Sequence, residues 1–368
     1  MATHDFSLFG WRWIAGVYVT QIILCGVVIL AGCAGPQTGQ SEAAGKVEFA
    51  LIGDMPYDGK QEEEYANLMK AIDREDLAFV AHNGDMWGDG MTWKDTTKGL
   101  APCGDAVFQD RLARAMKSEH PYIVAPGDND WTDCWRAKPV PYDPIERLSK
   151  LRQMFFSGEK SLGQHTLPLT RQSSDPRYAK YRENVRWVYG DVMFVTLHMM
   201  GSNNNLGRTP DMDAEYKERN AANLAWMKQA FALAARNKNR AIMIIAQANP
   251  QFENGWPNKV QEKYMLRGVG LKAPEKKRTT GFDDFLAALE QETLAFGKPV
   301  VYVHGDTHLF RVDKPLYGSH SKRVIENFTR VETIGFPDTH WVRAIIDPND
   351  PNVFTFKQEI VKENLVKH

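Results

Sequence analysis

Five times along this chain an apolar run stops at a short polar motif. The runs are 47–52, 77–81, 122–125, 241–246 and 300–303. The motifs that follow contain Gly53-Asp54, Gly84-Asp85, Gly127-Asp128-Asn129-Asp130, Gln247-Ala248-Asn249-Pro250 and Gly305-Asp306-Thr307-His308. Runs this short and this apolar predict buried strands. Strands that end in Gly-Asp bring carboxylates to the carboxyl edge of a sheet, where open α/β folds bind ligands. One such motif is weak evidence. Several in order argue for a site built by converging strands, and the accumulation of carboxylates points to metal.

Between these strands the spacing predicts helices over 62–75, 105–118, 143–156, 211–237 and 282–296. The segments 185–189 and 192–199, joined by Gly190-Asp191, predict a hairpin. The tail alternates over 325–334, 341–346 and 353–360 and reads as antiparallel strands. Segments 158–182 and 254–280 read as loops. Strand–helix alternation followed by such a tail predicts an α/β domain over 46–368, with two packed mixed sheets flanked by helices.

The first 45 residues read differently. Positions 13–30 are apolar, Leu30-Ala31-Gly32-Cys33 follows, and 34–45 is small and polar. The general expectation is a secretory signal. The Leu-Ala-Gly-Cys box resembles that of bacterial lipoproteins, which implies a signal over 1–33, a lipid-bearing Cys33 and a tether over 34–45. An uncleaved membrane anchor is the alternative, since the run is nearly long enough to span. Either way the body lies outside the cytoplasm. Ala34 after Cys33 leans towards the outer membrane, facing the periplasm. In that compartment Cys103 and Cys134 are a candidate disulfide, with two buried thiols as the competing reading. A formal net charge of −1 leaves no electrostatic footprint for nucleic acid.

The order of the motifs resembles the calcineurin-like metallophosphoesterases, which read Asp-x-His, Gly-Asp, Gly-Asn-His-Asp/Glu, a strand-ending His and Gly-His-x-His. The resemblance implies a four-layer sandwich and a phosphoester hydrolase that activates water between two divalent ions. Carried over by position, it makes Asp54, Asp85, Asp128, Gln247, Asp306 and His308 the metal ligands, with Asp85 bridging. This chain departs from the pattern. No His follows Asp54, though Tyr57 is near. Gln247 and Asp306 replace His, Asp128 replaces Asn, and Asn129 stands at the catalytic His. The oxygen-rich set favours Mn²⁺ or Mg²⁺, with Fe, Zn or Ca as further candidates. With the usual acid replaced, His198 and His304 become the candidate proton donors, and His82 a weaker one. A structural role competes for each. Period-two alternation predicts that His304 shares a strand face with Asp306. The alternative function is a non-catalytic metal- or phosphate-binding lipoprotein.

Overall fold

A computed structural model describes residues 45–88, 99–257 and 280–366. The lipobox and tether, the segment around Asp89 and Trp93, and most of the 254–280 loop lie outside these residues.

The chain opens with β1 (Val47–Ile52), α1 (Gly59–Ile72), β2 (Val80–His82), α2 (Asp105–Lys117), β3 (Tyr122–Val124) and α3 (Pro144–Phe155). Local chemistry fixes where the helices start. Asp58 caps α1 by accepting the Gln61 N–H at 2.8 Å, and Asp143 caps α3, with Pro144 in its first turn. Next come β4 (Thr170–Arg171), β5 (Val185–Tyr189), β6 (Val192–Thr196), α4 (Pro210–Arg236), β7 (Ala241–Ile245), α5 (Asp283–Phe296) and β8 (Val300–His304). The last strands are β9 (Arg311–Asp313), β10 (Phe328–Glu332), β11 (Trp341–Ile346) and β12 (Phe354–Glu359).

These strands form two mixed sheets flanked by helices, as the alternation predicts. One sheet runs β12-β11-β1-β2-β3 and the other β4-β5-β6-β7-β8-β10-β9. Their facing sides bury Phe49, Phe79, Trp187 and Phe194, with Phe49 stacked on Phe79 at 4.6 Å and Trp187 on Phe194 at 5.1 Å. Each such side chain contributes roughly 1.5–3 kcal/mol by leaving water. The outer face of the first sheet is covered from α1, α2 and α3 by Leu68, Phe108 and Leu151, and that of the second from α4 and α5 by Trp226, Phe231 and Phe285.

Three details differ from expectation. The tail is not uniformly antiparallel, because β10 pairs parallel with β8, Phe328 opposite Val300. The three-residue strand β9, too short to show alternation, covers the edge of β10. The segment 158–182 carries β4 and two 3₁₀ turns, so its polarity reflects a short sheet edge as well as loop.

Candidate active site

The parallel strands β1, β2, β3, β6, β7 and β8 end on one side of the molecule, and the loops that leave them build the site. Asp54, Asp85, Asp306 and His308 all sit in left-handed backbone, with φ of 53°, 58°, 72° and 64°. That conformation is costly for residues with a Cβ, and several together mark a site held in place by its surroundings. Gly305 shows how tightly the loops approach one another: a Cβ there would lie 1.7 Å from Asp54 Oδ2.

Asp54, Asp85, Asp128 and Asp306 meet beside a cleft of about 400 Å³, into which Asp85, Asp128, Asn129, Asp306 and His308 face. Asp54 is fully buried, and its Oδ2 has no hydrogen-bond partner. The network around the others is dense. Asp85 accepts the Asn129 N–H at 2.9 Å, the Tyr57 hydroxyl at 2.8 Å and the Gln247 side-chain N–H at 3.1 Å. Asp54 Oδ1 accepts the Asp306 N–H at 3.0 Å, and Asp306 accepts the Asn249 N–H at 3.0 Å. Asp130 is the knot beneath them. Its carboxylate accepts the N–H groups of Asp85, Met86 and Gly127 at 2.7–3.0 Å, tying the second motif to the third.

Burial, then mutual repulsion, sets the electrostatics. Asp54 is pushed well up by burial and by the charges of Asp306 and Asp128. Asp85 is pushed well up by burial, Asp128, Asp54 and Asp130. Burial raises Asp128 to about 7 and Asp306 to about 6, with Asp133 adding to both. Such a crowd of carboxylates favours either protons or a cation.

The histidines divide. His308 lines the cleft, with Nε2 3.6 Å from Asp54 Oδ1. Its Nδ1 donates to the Phe336 carbonyl at 2.9 Å, which leaves the Nε2 lone pair directed to the carboxylates. His198 and His304 are not placed to donate a proton in the cleft. His198 is sealed in the core. Its Nδ1–H donates to Glu183 at 2.7 Å, and its Nε2 accepts the Trp131 indole N–H at 2.9 Å. Burial lowers it to about 4, so both nitrogens are committed in the neutral ring. His304 is equally buried and spends its N–H on the Gly305 carbonyl at 2.7 Å. It does not share a strand face with Asp306, because β8 ends at His304 and the chain turns left-handed at Asp306. His82 is buried, accepts the Gly84 N–H at 3.1 Å and is lowered to about 4 by burial. Gln247 reaches the carboxylates through its nitrogen, because its oxygen accepts the Gly201 N–H at 2.6 Å.

Sequence reasoning missed part of the cleft wall. Asp133, Arg136, Ser202 and Phe336 line it. Asp133 is buried, accepts from Ser202 Oγ at 2.9 Å and pairs with Arg136 and Arg208. The four residues Ser202–Asn205 all have φ between 49° and 69°. The run Gly201-Ser202-Asn203-Asn204-Asn205 is the one sequence signal for that turn, since Asn tolerates this conformation better than most residues. The Cys103–Cys134 disulfide forms, with Cα atoms 5.7 Å apart, and joins the start of α2 to the 3₁₀ turn Thr132–Arg136 beside Asp128.

Among the described residues, no three His, Cys, Asp or Glu side chains converge as they would around a bound ion. The donor chemistry nonetheless suits one. It offers three buried carboxylates and the half-buried Asp306, an orphaned Asp54 oxygen, an imidazole with its lone pair inward, and a glycine at 201 where a Cβ would touch Asp306 Oδ1 and Asp128 Oδ2 at 2.6 and 2.7 Å.

No family model matches the chain. No curated protein matches it either. Among solved structures it is similar to the structure of PhoD, at 12% sequence identity and a TM-score of 0.48, over 82% of this chain. The alignment spans 64% of that protein's length.

Proposed function

We propose that the cleft is the active site of a metal-dependent phosphoester hydrolase of the calcineurin-like metallophosphoesterase type. The observation that carries this reading is that three buried aspartates and the half-buried Asp306, from four different strand ends, gather at one cleft with the His308 lone pair beside them. So much buried negative charge is stable only with protons or cations. Asp54, Asp85 and His308 would hold one ion, and Asp85, Asp128 and Asp306 the other, with Mn²⁺ or Mg²⁺ suited to the oxygen donors. Bound there, a divalent pair would supply Lewis acidity toward a phosphoryl oxygen and make water a stronger acid.

The chain's own residues set the geometry. Asn129 and Tyr57 fix the two oxygens of Asp85 from opposite sides of its carboxylate. The Phe336 carbonyl fixes the tautomer of His308. Gln247 contributes N–H to the carboxylates instead of an oxygen ligand. With His198 and His304 sealed away, no described imidazole N–H is placed for a leaving group. Turnover should therefore depend steeply on leaving-group acidity, and nitrophenyl esters are the right first substrates.

The test is hydrolysis of nitrophenyl phosphate mono- and diesters by metal-stripped protein titrated with Mn²⁺, Mg²⁺, Ca²⁺ and Zn²⁺. Activity should return with metal and fall at least a hundredfold in Asp85→Asn. A variant that kept full metal-dependent turnover would sink the reading. A binding protein without turnover is the second reading, favoured by the burial of both candidate proton donors. Metal uptake with no hydrolysis of any ester would establish it.

The same proposal makes 46–368 the hydrolase domain and places it on the periplasmic face of the outer membrane, on a lipid at Cys33. The Cys103–Cys134 bridge supports an oxidising compartment. Radiolabelled palmitate should enter the wild type and not Cys33→Ser.

A further inference from the structure

Phe336 stands in the loop between β10 and β11; its carbonyl holds His308, but its ring has no place in the chemistry above. It belongs to none of the three hydrophobic cores, and its ring lines the cleft, partly exposed. Its backbone is fixed at both ends of the residue. The N–H donates to the Asp54 carbonyl at 3.1 Å, and the carbonyl accepts from His308 Nδ1 at 2.9 Å. The loop beyond is held too, with Thr339 bonded to Glu64 at 2.8 Å and to Gln61 at 3.1 Å. The ring itself stacks on Tyr57, centroids 5.7 Å apart and planes within 17°. Tyr57 in turn meets His308 edge-on at 5.3 Å and donates its hydroxyl to Asp85. The carboxylates are thus joined to a partly exposed aromatic face through a rigid stack of two rings.

An exposed aromatic ring that packs no core loses water contacts usefully only when something flat covers it. Presenting it from a pinned backbone leaves little entropy to lose on binding. We propose that Phe336, backed by Tyr57, is a stacking platform for a planar aromatic group carried by the substrate, so that the site prefers aryl- or nucleobase-bearing phosphoesters over aliphatic ones. This rests on the cleft being a phosphoester site. The platform makes Phe336 a specificity-determining residue and leaves the carboxylates unchanged.

The test measures binding by calorimetry, with and without Mn²⁺, of methylphosphonate, phenylphosphonate and a nucleoside phosphonate. The proteins are the wild type, Phe336→Leu, Phe336→Tyr and Trp135→Ala. An aromatic phosphonate should bind the wild type about tenfold tighter than methylphosphonate, a gain typical of one stacked ring. Phe336→Leu, which keeps bulk without a π-face, should erase the difference, and Phe336→Tyr should keep it. Trp135→Ala, which removes the half-exposed indole next to Arg136, should change nothing. Whether phenyl or nucleobase gains more identifies the source of the planar group. A preference that survives Phe336→Leu, or no preference in the wild type, overturns the platform even if nitrophenyl esters are hydrolysed. Phe336-dependent binding without any hydrolysis supports the platform and removes the hydrolase.

Discussion

Asp128 illustrates how a single side chain trades stability for function. Burial and the Asp133 charge raise it from an ordinary 3.8 to about 7. Between those values the unfolded chain gives up its proton first, so stability falls as pH rises through the window, and the full cost is present above pH 7. Asp128→Asn removes a charge the metal-free protein cannot balance. In stripped protein the variant should be more stable at pH 8, on the order of 2 kcal/mol, and no more stable than wild type at pH 4. Chemical denaturation at the two pH values checks this. Added Mn²⁺ should then stabilise the wild type more than the variant. Burial raises Asp130, one residue from the cleft wall, as well, against three backbone N–H groups that favour its charge, and its work is to join two motifs.

At the scale of elements, the left-handed turn after β6 matters most. Arg219 from α4 holds it, with Nη1 on the His198 carbonyl at 2.8 Å and on Asn204 Oδ1 at 2.6 Å. Thr132 grips Asn205 from the third motif's loop at 2.6 Å. The turn delivers Gly201 against Asp128 and Asp306, with its own backbone outside the left-handed region. A methyl group there would first meet side-chain atoms, Asp306 Oδ1 at 2.6 Å, Asp128 Oδ2 at 2.7 Å and Asp128 Cγ at 3.0 Å. Gly201→Ala should therefore fold normally, with Tm within about 2 °C of wild type, yet bind Mn²⁺ at least tenfold more weakly because the two carboxylates are wedged apart. Calorimetric titration and thermal melting on the same sample separate the two effects. A large drop in Tm would show that the turn, rather than the carboxylates, absorbs the methyl.

For the molecule as a whole, the two sheets supply the rigid frame and the disulfide braces one rim of the site. Both sulfurs lie 3.7–3.8 Å from the Asn129 carbonyl, so the bridge supports the residue whose N–H holds Asp85. Closing a loop of sequence separation 31 contributes about 3–4 kcal/mol. A Cys103→Ala, Cys134→Ala pair should lower Tm by on the order of 5 °C and weaken Mn²⁺ binding. An unchanged affinity with lowered Tm would mean the brace acts on the fold alone.

Sequence by itself determined the layers and the origin of the site. Apolar runs of strand length, helices spaced between them and carboxylates at the run ends are local facts, set by which residues must leave water and which must not. They were enough to place Asp54, Asp85, Asp128, Asp306 and His308 around one cleft, whereas the choice between a Cys103–Cys134 bridge and two buried thiols stayed open until the structure showed the bridge. Tertiary structure decided what each group can do. Burial and hydrogen bonding turned His198 and His304 inward, and the Gly201 N–H took the Gln247 oxygen. The Asp133 and Phe336 walls come from loops far apart in the chain. A side chain's role depends on which donors and charges surround it in space, and those neighbours come from segments more than 250 residues away, as Asp306 does from Asp54. No local pattern encodes that distance, because the two packed sheets, and not the intervening sequence, bring the segments together.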